Sequence, residues 1–256
     1  MVQRSWTIAL VALALSPAAA AACERPRAPA GWAPGVQEAR AWAATRSHDL
    51  VAFSVRAGAR AWHHHPDRVT RTASVAKAVM LAAQLRRLRA RPVPRPIGRD
   101  LDAMVRASDN PAADRTFVRL GAPLIERTAR RAGMRAFRAG PAGFWGGSRL
   151  TARDGARLMQ AIPSLLPRRH RALGLRLLRT VVPSQRWGIG RAVPRGWRLH
   201  LKGGWGAGTG QVNHQVALLT RGCEHVALAV LTTEGPDHGH GTRTLEGVAR
   251  RLLRGL

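Results

Sequence analysis

Short apolar segments bounded by glycine and polar turn residues occur as a pair near residue 55 and as a group of three after residue 195. Such segments are typical of β-strands. The first pair covers residues 50–56 and 59–65 and is joined by Ala57-Gly58, which predicts a hairpin. The later strands are predicted at residues 197–202, 211–220 and 224–233, with Arg221-Gly222-Cys223 as the tight connection between the last two.

Between these two groups the apolar residues recur with helical spacing. A helix is predicted over residues 74–89 because the segment places Val75, Val79, Leu81, Leu85 and Leu88 at intervals that match one helix face. Further helices are predicted at residues 36–45, 101–107, 111–120, 122–132, 151–161, 165–182 and 243–253. The order of two strands, many helices, three strands and a closing helix indicates an α+β fold.

The N-terminal residues have the pattern of an export signal. Arg4 supplies a positive charge, residues 6–15 are apolar, and residues 18–22 are small. We therefore predict a signal peptide over residues 1–22, a Pro- and Ala-rich linker over residues 23–35, and a secreted or cell-wall-associated protein. The apolar run is too short for a membrane span, and no later stretch is long enough.

The two cysteines, Cys23 and Cys223, leave two alternatives open. An even count in an oxidising compartment favours a disulfide between them. Cleavage after Ala22 would instead make Cys23 the first residue, as in a lipoprotein, but Ala20 is a poor match to the residue that lipidation signals place there.

The formal net charge is +28, which by itself suggests a nucleic-acid or polyanion binder. Arginine is nevertheless spread along the whole chain, tyrosine is absent, and alanine, glycine and proline are abundant. This usage is typical of a genome rich in G and C. We therefore expect a solvated cationic surface and no nucleic-acid partner.

Three short motifs carry candidate chemistry. Ser74 and Lys77 stand three positions apart in Arg71-Thr72-Ala73-Ser74-Val75-Ala76-Lys77, so on a helix they share one face. Ser108-Asp109-Asn110 and Lys202-Gly203-Gly204 follow. Of the 42 basic residues only Lys77 and Lys202 are lysine. Since arginine does not release its proton and lysine can, the chain keeps lysine where a base is needed.

In this order the motifs resemble those of class A β-lactamases and penicillin-binding proteins. The resemblance covers roughly residues 36–255. It implies a five-stranded antiparallel sheet flanked by helices and packed on an all-helical lobe. We expect the sheet lobe to comprise residues 36–70 and 185–256, the helical lobe residues 71–184, and the site to lie between them.

The resemblance also implies roles. Ser74 is the expected nucleophile, Lys77 its base or proton relay, Ser108 the proton donor to the leaving nitrogen, and Lys202 a positive charge beside the substrate.

On the substrate-binding side, the resemblance implies that Asn110 orients the substrate. Gly203, Gly204 and Trp205 would form the edge against which it lies. The backbone N–H groups of Ser74 and Trp205 would make the oxyanion hole. No metal or other cofactor is expected.

Two departures from the family pattern bear on function. Gly203 stands where the family has a hydroxyl residue that helps to bind the substrate carboxylate. The family also uses an Ω-loop glutamate to hydrolyse the acyl-enzyme, and this chain has no glutamate between Glu126 and Glu224. Phe144-Trp145-Gly146-Gly147 offers no carboxylate, and Asp154 is predicted to cap a helix.

We therefore expect a secreted, monomeric serine hydrolase that forms an acyl-serine with β-lactams or related amides and deacylates slowly. Two alternatives remain: a D,D-peptidase that acts on peptidoglycan stem peptides, and a non-catalytic protein that binds cell-wall polymers or other polyanions.

Two histidine-rich stretches are not expected to bind metal. His63-His64-His65 lies on a predicted strand, where neighbouring side chains point to opposite faces. Asp237-His238-Gly239-His240 is predicted to be a flexible turn before the last helix. Gln185, Arg186 and Trp187 are either lining residues of the cleft or ordinary loop residues.

Overall fold

The structure is a computed structural model, and it describes residues 26–256. The predicted signal peptide and Cys23 lie outside the described residues. The eight α-helices of this part are α1 (Val36–Ala44), α2 (Ala76–Leu88), α3 (Arg95–Asp102), α4 (Asn110–Leu120), α5 (Ala122–Arg131), α6 (Ala152–Leu165), α7 (Arg168–Arg179) and α8 (His238–Leu252).

Seven β-strands accompany these helices in the described part. They are β1 (Leu50–Ala57), β2 (Arg60–His64), β3 (Thr70–Arg71), β4 (Arg149–Leu150), β5 (Arg198–Gly206), β6 (Val212–Arg221) and β7 (Glu224–Thr233). The main sheet has the order β2-β1-β7-β6-β5, and every neighbouring pair in it is antiparallel. The predicted α+β fold with a five-stranded antiparallel sheet is confirmed.

Each face of the sheet buries its own apolar cluster. One face packs with α6 and the buried helix α2, and its residues include Val216, Leu218 and Ala229. The opposite face packs under the terminal helices α1 and α8, around Phe53 and Leu228. Burial of two separate apolar faces explains why the strands are almost continuously apolar rather than strictly alternating.

Helix α2 is the centre of the helical side. All of its residues except Arg86 and Arg87 are buried. Its apolar residues therefore surround the whole helix rather than one face, as expected for a helix inside a core. Because Lys77 lies in the first turn of this helix, its side chain is held inside the protein.

Several element boundaries in the structure differ from those predicted. Helix α8 begins at His238 rather than near residue 243, because the Asp237 side chain accepts the His240 backbone N–H and caps the helix. The predicted flexible turn is thus the first turn of α8. Strand β5 extends to Gly206 because its whole length pairs with β6.

The short pair β3–β4 was not predicted from the sequence. Each strand has two residues, and the register joins Thr70 to Leu150 and Arg71 to Arg149. Two residues are too few for a pattern to be visible along the chain. The pairing ties the segment before Ser74 to the loop that contains Trp145, and so it fixes one wall of the cleft.

Candidate active site

A cleft of about 290 Å³ opens where the start of α2, the start of α4 and the end of β5 meet. Ser74 and Asn110 line it from the helical side, and Trp205 lines it from the sheet. The loop that contains Phe144 and Trp145 closes a third side. The structure therefore brings the three sequence motifs to one place, although more than 120 positions separate the first from the last.

Ser74 sits in a single 3₁₀ turn, Ala73–Val75, that continues directly into α2. Ala73 has a φ of 42°, a left-handed conformation that is uncommon for a residue with a side chain. Backbone strain of this kind is concentrated at functional sites. The turn lifts Ser74 to the cleft while its neighbours Ala73 and Val75 stay buried.

Glycine at position 204 is required by the close approach of β5 to this turn. A Cβ atom on Gly204 would lie 2.8 Å from the Ser74 backbone nitrogen and 2.9 Å from that of Val75. A side chain there would push the strand away from Ser74. With glycine, the backbone of β5 reaches the turn, as an oxyanion hole made from Ser74 and Trp205 requires.

The two lysines converge on Ser108. Lys77 Nζ donates to the Ser108 carbonyl oxygen at 2.5 Å, to Ser108 Oγ at 3.2 Å and to Asn110 Oδ1 at 2.8 Å. Lys202 Nζ donates to Ser108 Oγ at 3.0 Å and to the Gly203 carbonyl oxygen at 2.8 Å. Both lysine side chains are 0 % exposed. Ser108 Oγ is therefore the point through which protons of both ammonium groups can pass.

Ser108 presents its side chain to both lysines because its backbone is in the left-handed region, with a φ of 60° and a ψ of 32°. The residue ends a π-helical turn that follows α3, and Asp109 then caps α4 through the Ala112 N–H. Gln185 Nε2 donates to the Ala107 carbonyl oxygen at 2.7 Å and holds the turn from behind. Gln185 thus supports the site without lining the cleft.

The spacing of Ser74 and Lys77 predicts that their side chains meet, but the structure shows a different arrangement. Within the described residues no hydrogen bond of the Ser74 hydroxyl is found, and the three N–H groups of Lys77 point to Ser108 and Asn110. An ammonium group has three donors and no acceptor, so it turns to three oxygen acceptors. Only the neutral amine has the lone pair needed to accept a proton from Ser74.

The environment makes that neutral form accessible. Burial lowers the pKa of Lys77 to about 7, and the carboxylates of Asp109 and Asp114 act in the opposite direction. Burial also lowers the pKa of Lys202, and the charge of Lys77 lowers it further. Two ammonium groups sharing one hydroxyl repel each other, so near neutral pH the pair is poised to lose a proton.

Two cleft residues were missed by the sequence reasoning. The ring centroid of Trp145 lies 4.6 Å from Lys77 Nζ, a cation–π contact that favours the ammonium form. Trp145 Nε1 donates to Asp114 Oδ1 at 2.6 Å. Asp114 also lines the cleft and stands four positions after Asn110 on α4. The four-residue spacing from Asn110 on a predicted helix would have identified Asp114 as a candidate cleft residue from the sequence.

The loop over residues 139–149 contributes no carboxylate, as the sequence predicts. Asp154 lies elsewhere: its carboxylate accepts the backbone N–H groups of Arg135 at 2.9 Å and Ala136 at 3.1 Å. Thr151 is the residue whose side chain caps α6. Among described residues that line the cleft, Asp114 is the carboxylate.

The departure at Gly203 also has a structural explanation. A Cβ atom on Gly203 would lie 3.2 Å from the ring of Trp187, so the indole occupies the space beside the strand. The Trp187 ring meets Trp205 edge-on at 5.9 Å and His238 edge-on at 5.2 Å. Of the three loop residues Gln185, Arg186 and Trp187, Trp187 is the one that packs beside Gly203 and Trp205.

No group of three or more metal-ligating side chains occurs in the described part of the chain. His63 Nδ1 lies 3.0 Å from Ser54 Oγ, and its Nε2 lies 3.1 Å from Arg153 Nη1. Helices long and apolar enough to cross a membrane are likewise not found among residues 26–256.

Residues 96–256, more than half of the chain, match the model of the "Beta-lactamase enzyme family". The chain belongs to this β-lactamase family. The matched region includes Ser108 and Lys202, whereas Ser74 and Lys77 precede it and are placed beside them by the structure. No curated protein sequence matches the chain.

Solved structures show the fold of this β-lactamase family member independently. A class A β-lactamase from Mycobacterium abscessus superposes with a TM-score of 0.75 at 21 % identity, over 86 % of this chain and 98 % of that chain. A β-lactamase from Desulfarculus baarsii gives a TM-score of 0.72 at 23 % identity, over 84 % and 96 %.

A β-lactamase from Xanthomonas campestris gives a TM-score of 0.76 at 15 % identity, over 86 % of this chain and 98 % of that chain. Family and fold together identify this chain as a serine hydrolase, and they support β-lactam hydrolysis in general.

Proposed function

We propose that the protein is an exported serine hydrolase that is acylated at Ser74 by β-lactams and releases the acyl group slowly. The observation that carries this proposal is the convergence of two fully buried lysines on Ser108 Oγ, beside a serine in a strained turn. A structural role would not call for two buried ammonium groups at one hydroxyl, because their desolvation and mutual repulsion are costly.

In the proposed acylation, Lys77 is neutral and turns its lone pair from Ser108 and Asn110 towards Ser74. Neutral Lys77 accepts the Ser74 proton, and Ser74 Oγ attacks the lactam carbonyl carbon. The N–H groups of Ser74 and Trp205 hold the oxyanion. The C–N bond then breaks, and Ser108 Oγ gives its proton to the leaving nitrogen. Lys77 and Lys202 both touch Ser108 Oγ and replace that proton.

Deacylation has fewer catalytic groups available to it than acylation has. Water must attack the acyl carbon and lose a proton, and the loop at residues 143–146 places Phe144 and Trp145 in the cleft where a carboxylate would be useful. Asp114 is the carboxylate at hand, but it is exposed and one of its oxygens is bound to Trp145. We therefore expect the acyl-enzyme to accumulate.

The experiment combines two readouts on the same preparation. Intact-protein mass after mixing with penicillin should show a stoichiometric adduct on Ser74, which persists when the free drug is removed. Stopped-flow hydrolysis of a chromogenic cephalosporin should show a burst followed by slow turnover. Steady turnover on the order of a hundred per second with no adduct would contradict slow deacylation.

A D,D-peptidase acting on peptidoglycan stem peptides is the second candidate. The carboxylate-free loop favours it, because peptidases of this class also form long-lived penicilloyl adducts. Release of D-alanine from a D-alanyl-D-alanine peptide, absent in Ser74→Ala, would establish it. A non-catalytic polyanion-binding protein would show neither labelling by penicillin nor labelling by a fluorophosphonate.

Export and the Cys23–Cys223 disulfide belong to the same proposal. Arg27 forms a parallel bridge with Glu224, and its N–H donates to the Cys223 carbonyl oxygen at 2.9 Å. The chain four residues after Cys23 therefore runs beside Cys223. Non-reducing peptide mapping of the exported protein should recover the two cysteines in one disulfide-linked peptide. Free thiols or a diacylglyceryl group on Cys23 would contradict it.

A further inference from the structure

A second cavity, of about 330 Å³, lies between α7 and the edge of the sheet formed by β5, β6 and β7. It shares no lining residue with the Ser74 cleft. Arg176, Arg179 and Arg198 stand at its rim, and His200 and His225 line it further in. The cavity is thus built almost entirely from basic and apolar groups.

The three arginines have no partner of their own. Within the described residues, the guanidinium groups of Arg176, Arg179 and Arg198 make no salt bridge and no hydrogen bond. No aspartate or glutamate of residues 26–256 lines the cavity. Arg176 and Arg179 are three positions apart on α7, so they project from the same face of that helix.

An arginine-rich composition does not by itself produce such a cavity. Another cavity of the same molecule, about 270 Å³ in volume, is lined by Arg135, Arg153 and Arg157, but Asp67 and Asp154 line it as well. There Arg153 forms a 2.7 Å ion pair with Asp67. The positive charge at the α7 cavity is uncompensated by comparison, although both cavities have the same number of arginines.

Each of the two histidines has a ring nitrogen without a hydrogen-bond partner among the described residues. His200 Nδ1 donates to the Leu175 carbonyl oxygen at 3.0 Å, which fixes the ring and leaves Nε2 available. His225 Nδ1 is buried and makes no hydrogen bond within the described part of the chain. Protonation turns such a nitrogen into a donor and adds a positive charge to the ring, so protonated histidines would strengthen the attraction of this cavity for an anion.

We propose that the α7 cavity binds a phosphate-type oxyanion, either free or as part of an anionic polymer. Guanidinium groups match the oxygens of phosphate in pairs, and three of them here face the same space. The volume exceeds what one inorganic phosphate needs, so a phosphodiester with part of its organic substituents also fits. The chemistry shared by both sources is a doubly or singly charged tetrahedral oxyanion.

Binding should depend on pH through the histidines. Burial lowers the pKa of His200, and Arg179 on α7 and Arg198 on β5 lower it further. Burial also lowers the pKa of His225, and the neighbouring His200 acts in the same direction. A bound anion favours the protonated rings and raises both pKa values. Protons are therefore taken up on binding, and affinity rises as the pH falls.

The test is calorimetric titration of the full exported protein with sulfate and with pyrophosphate, at pH 7.5 and pH 5.5 and constant ionic strength. Sulfate keeps its charge over this range, so any change in its affinity reports on the protein. We expect sulfate to bind roughly threefold to tenfold more tightly at pH 5.5, up to one proton being taken up per histidine. His225→Gln should reduce that change, and an unaltered pH dependence would overturn the role of the histidines.

A charge-matched pair of variants separates a site from general attraction. The triple variant Arg176→Gln, Arg179→Gln, Arg198→Gln should lose at least tenfold in pyrophosphate affinity. The control variant Arg91→Gln, Arg127→Gln, Arg195→Gln removes the same charge from exposed arginines and should stay within twofold of wild type. Equal losses in the two variants, or no binding by the wild type at either pH, would overturn the proposal.

The same variants distinguish the two sources of the anion. A glycerol-phosphate polymer that binds more tightly per phosphate than free phosphate, and loses that advantage in the first triple variant, assigns the cavity to an envelope polymer. Equal affinity per phosphate assigns it to free phosphate.

Discussion

Strand β5 carries two groups of positive charge, and they behave in opposite ways. At its C-terminal half, Lys202 is 0 % exposed and shares Ser108 Oγ with Lys77. At its N-terminal end, Arg198 is exposed and stands beside His200 at the α7 cavity. His200 and Lys202 are two positions apart and point to the same face of the sheet.

The difference between these two ends suggests a physical reason for the two lysines among so many arginines. A lysine that loses its hydration can give up its proton, and burial lowers the pKa of Lys77 to about 7. A guanidinium keeps its proton in either environment. The lysine end is therefore suited to moving protons, and the arginine end to holding a permanent charge.

The contrast between the two ends of β5 depends on Ser74 being the nucleophile on which Lys77 and Lys202 act. We expect Ser74→Ala to abolish covalent labelling by penicillin, measured by intact mass, because Ser74 is the serine among the described residues that lines the cleft. The melting temperature should hardly change, since the Ser74 hydroxyl makes no hydrogen bond among the described residues. Ser164→Ala, at an exposed position of α6, is the control and should be labelled like wild type. Labelling of Ser74→Ala at another residue would remove the assignment.

The exchange Lys77→Arg turns one lysine of the site into an arginine and tests the comparison directly. Charge is retained, but the base is lost, so acylation should slow by about a thousandfold or more. Stopped-flow measurement of adduct formation gives the rate, and the melting temperature shows whether the variant is folded.

Arg127→Lys makes the reverse exchange at an exposed position of α5 and should leave acylation unchanged. A loss of only a few-fold in Lys77→Arg would mean that the charge of Lys77 matters and its proton does not.

The variant Asp114→Asn tests whether the carboxylate of Asp114 acts as the base in hydrolysis of the acyl-enzyme. Asparagine keeps an oxygen that can accept the Trp145 Nε1–H, so the contact survives while the base is lost. We expect the penicilloyl adduct to decay about a hundredfold more slowly, a value within the usual range for loss of a general base. The decay is followed by mass after removal of free drug.

Asp114→Ala and Trp145→Phe remove that hydrogen bond from either side. Slow decay in both of these variants with normal decay in Asp114→Asn would show that Asp114 only positions Trp145.

The pH dependence of acylation is the smallest of the expected effects. Neutral Lys77 is the active form, so the acylation rate should rise tenfold per pH unit below the pKa and level off above about 7. The direction is fixed by the lowered pKa: as pH falls through it, the amine gains a proton and activity is lost. A rate that stays constant from pH 5.5 to pH 8 would contradict proton transfer to Lys77.

The sequence predicted the order of the five strands of the main sheet and of the helices, the three motifs and the absence of a loop glutamate. These features are local or compositional: the strand segments are bounded by turn residues, and lysine occurs at two positions only. Glycine at 203 and 204 was visible, but the reasons for it were not. The predicted roles of the site residues stay predictions until the variants above are measured.

How these parts meet depends on tertiary contacts. The orientation of Lys77 toward Ser108 depends on the left-handed backbone of Ser108 after the π-helical turn that follows α3, and the pairing of β3 with β4 depends on segments nearly eighty positions apart. Trp187 fills the space beside Gly203, and Asp114 accepts a hydrogen bond from Trp145 at the cleft. Each of these is a contact between residues distant in sequence, and periodicity along a chain contains no information about which distant residues will pack together.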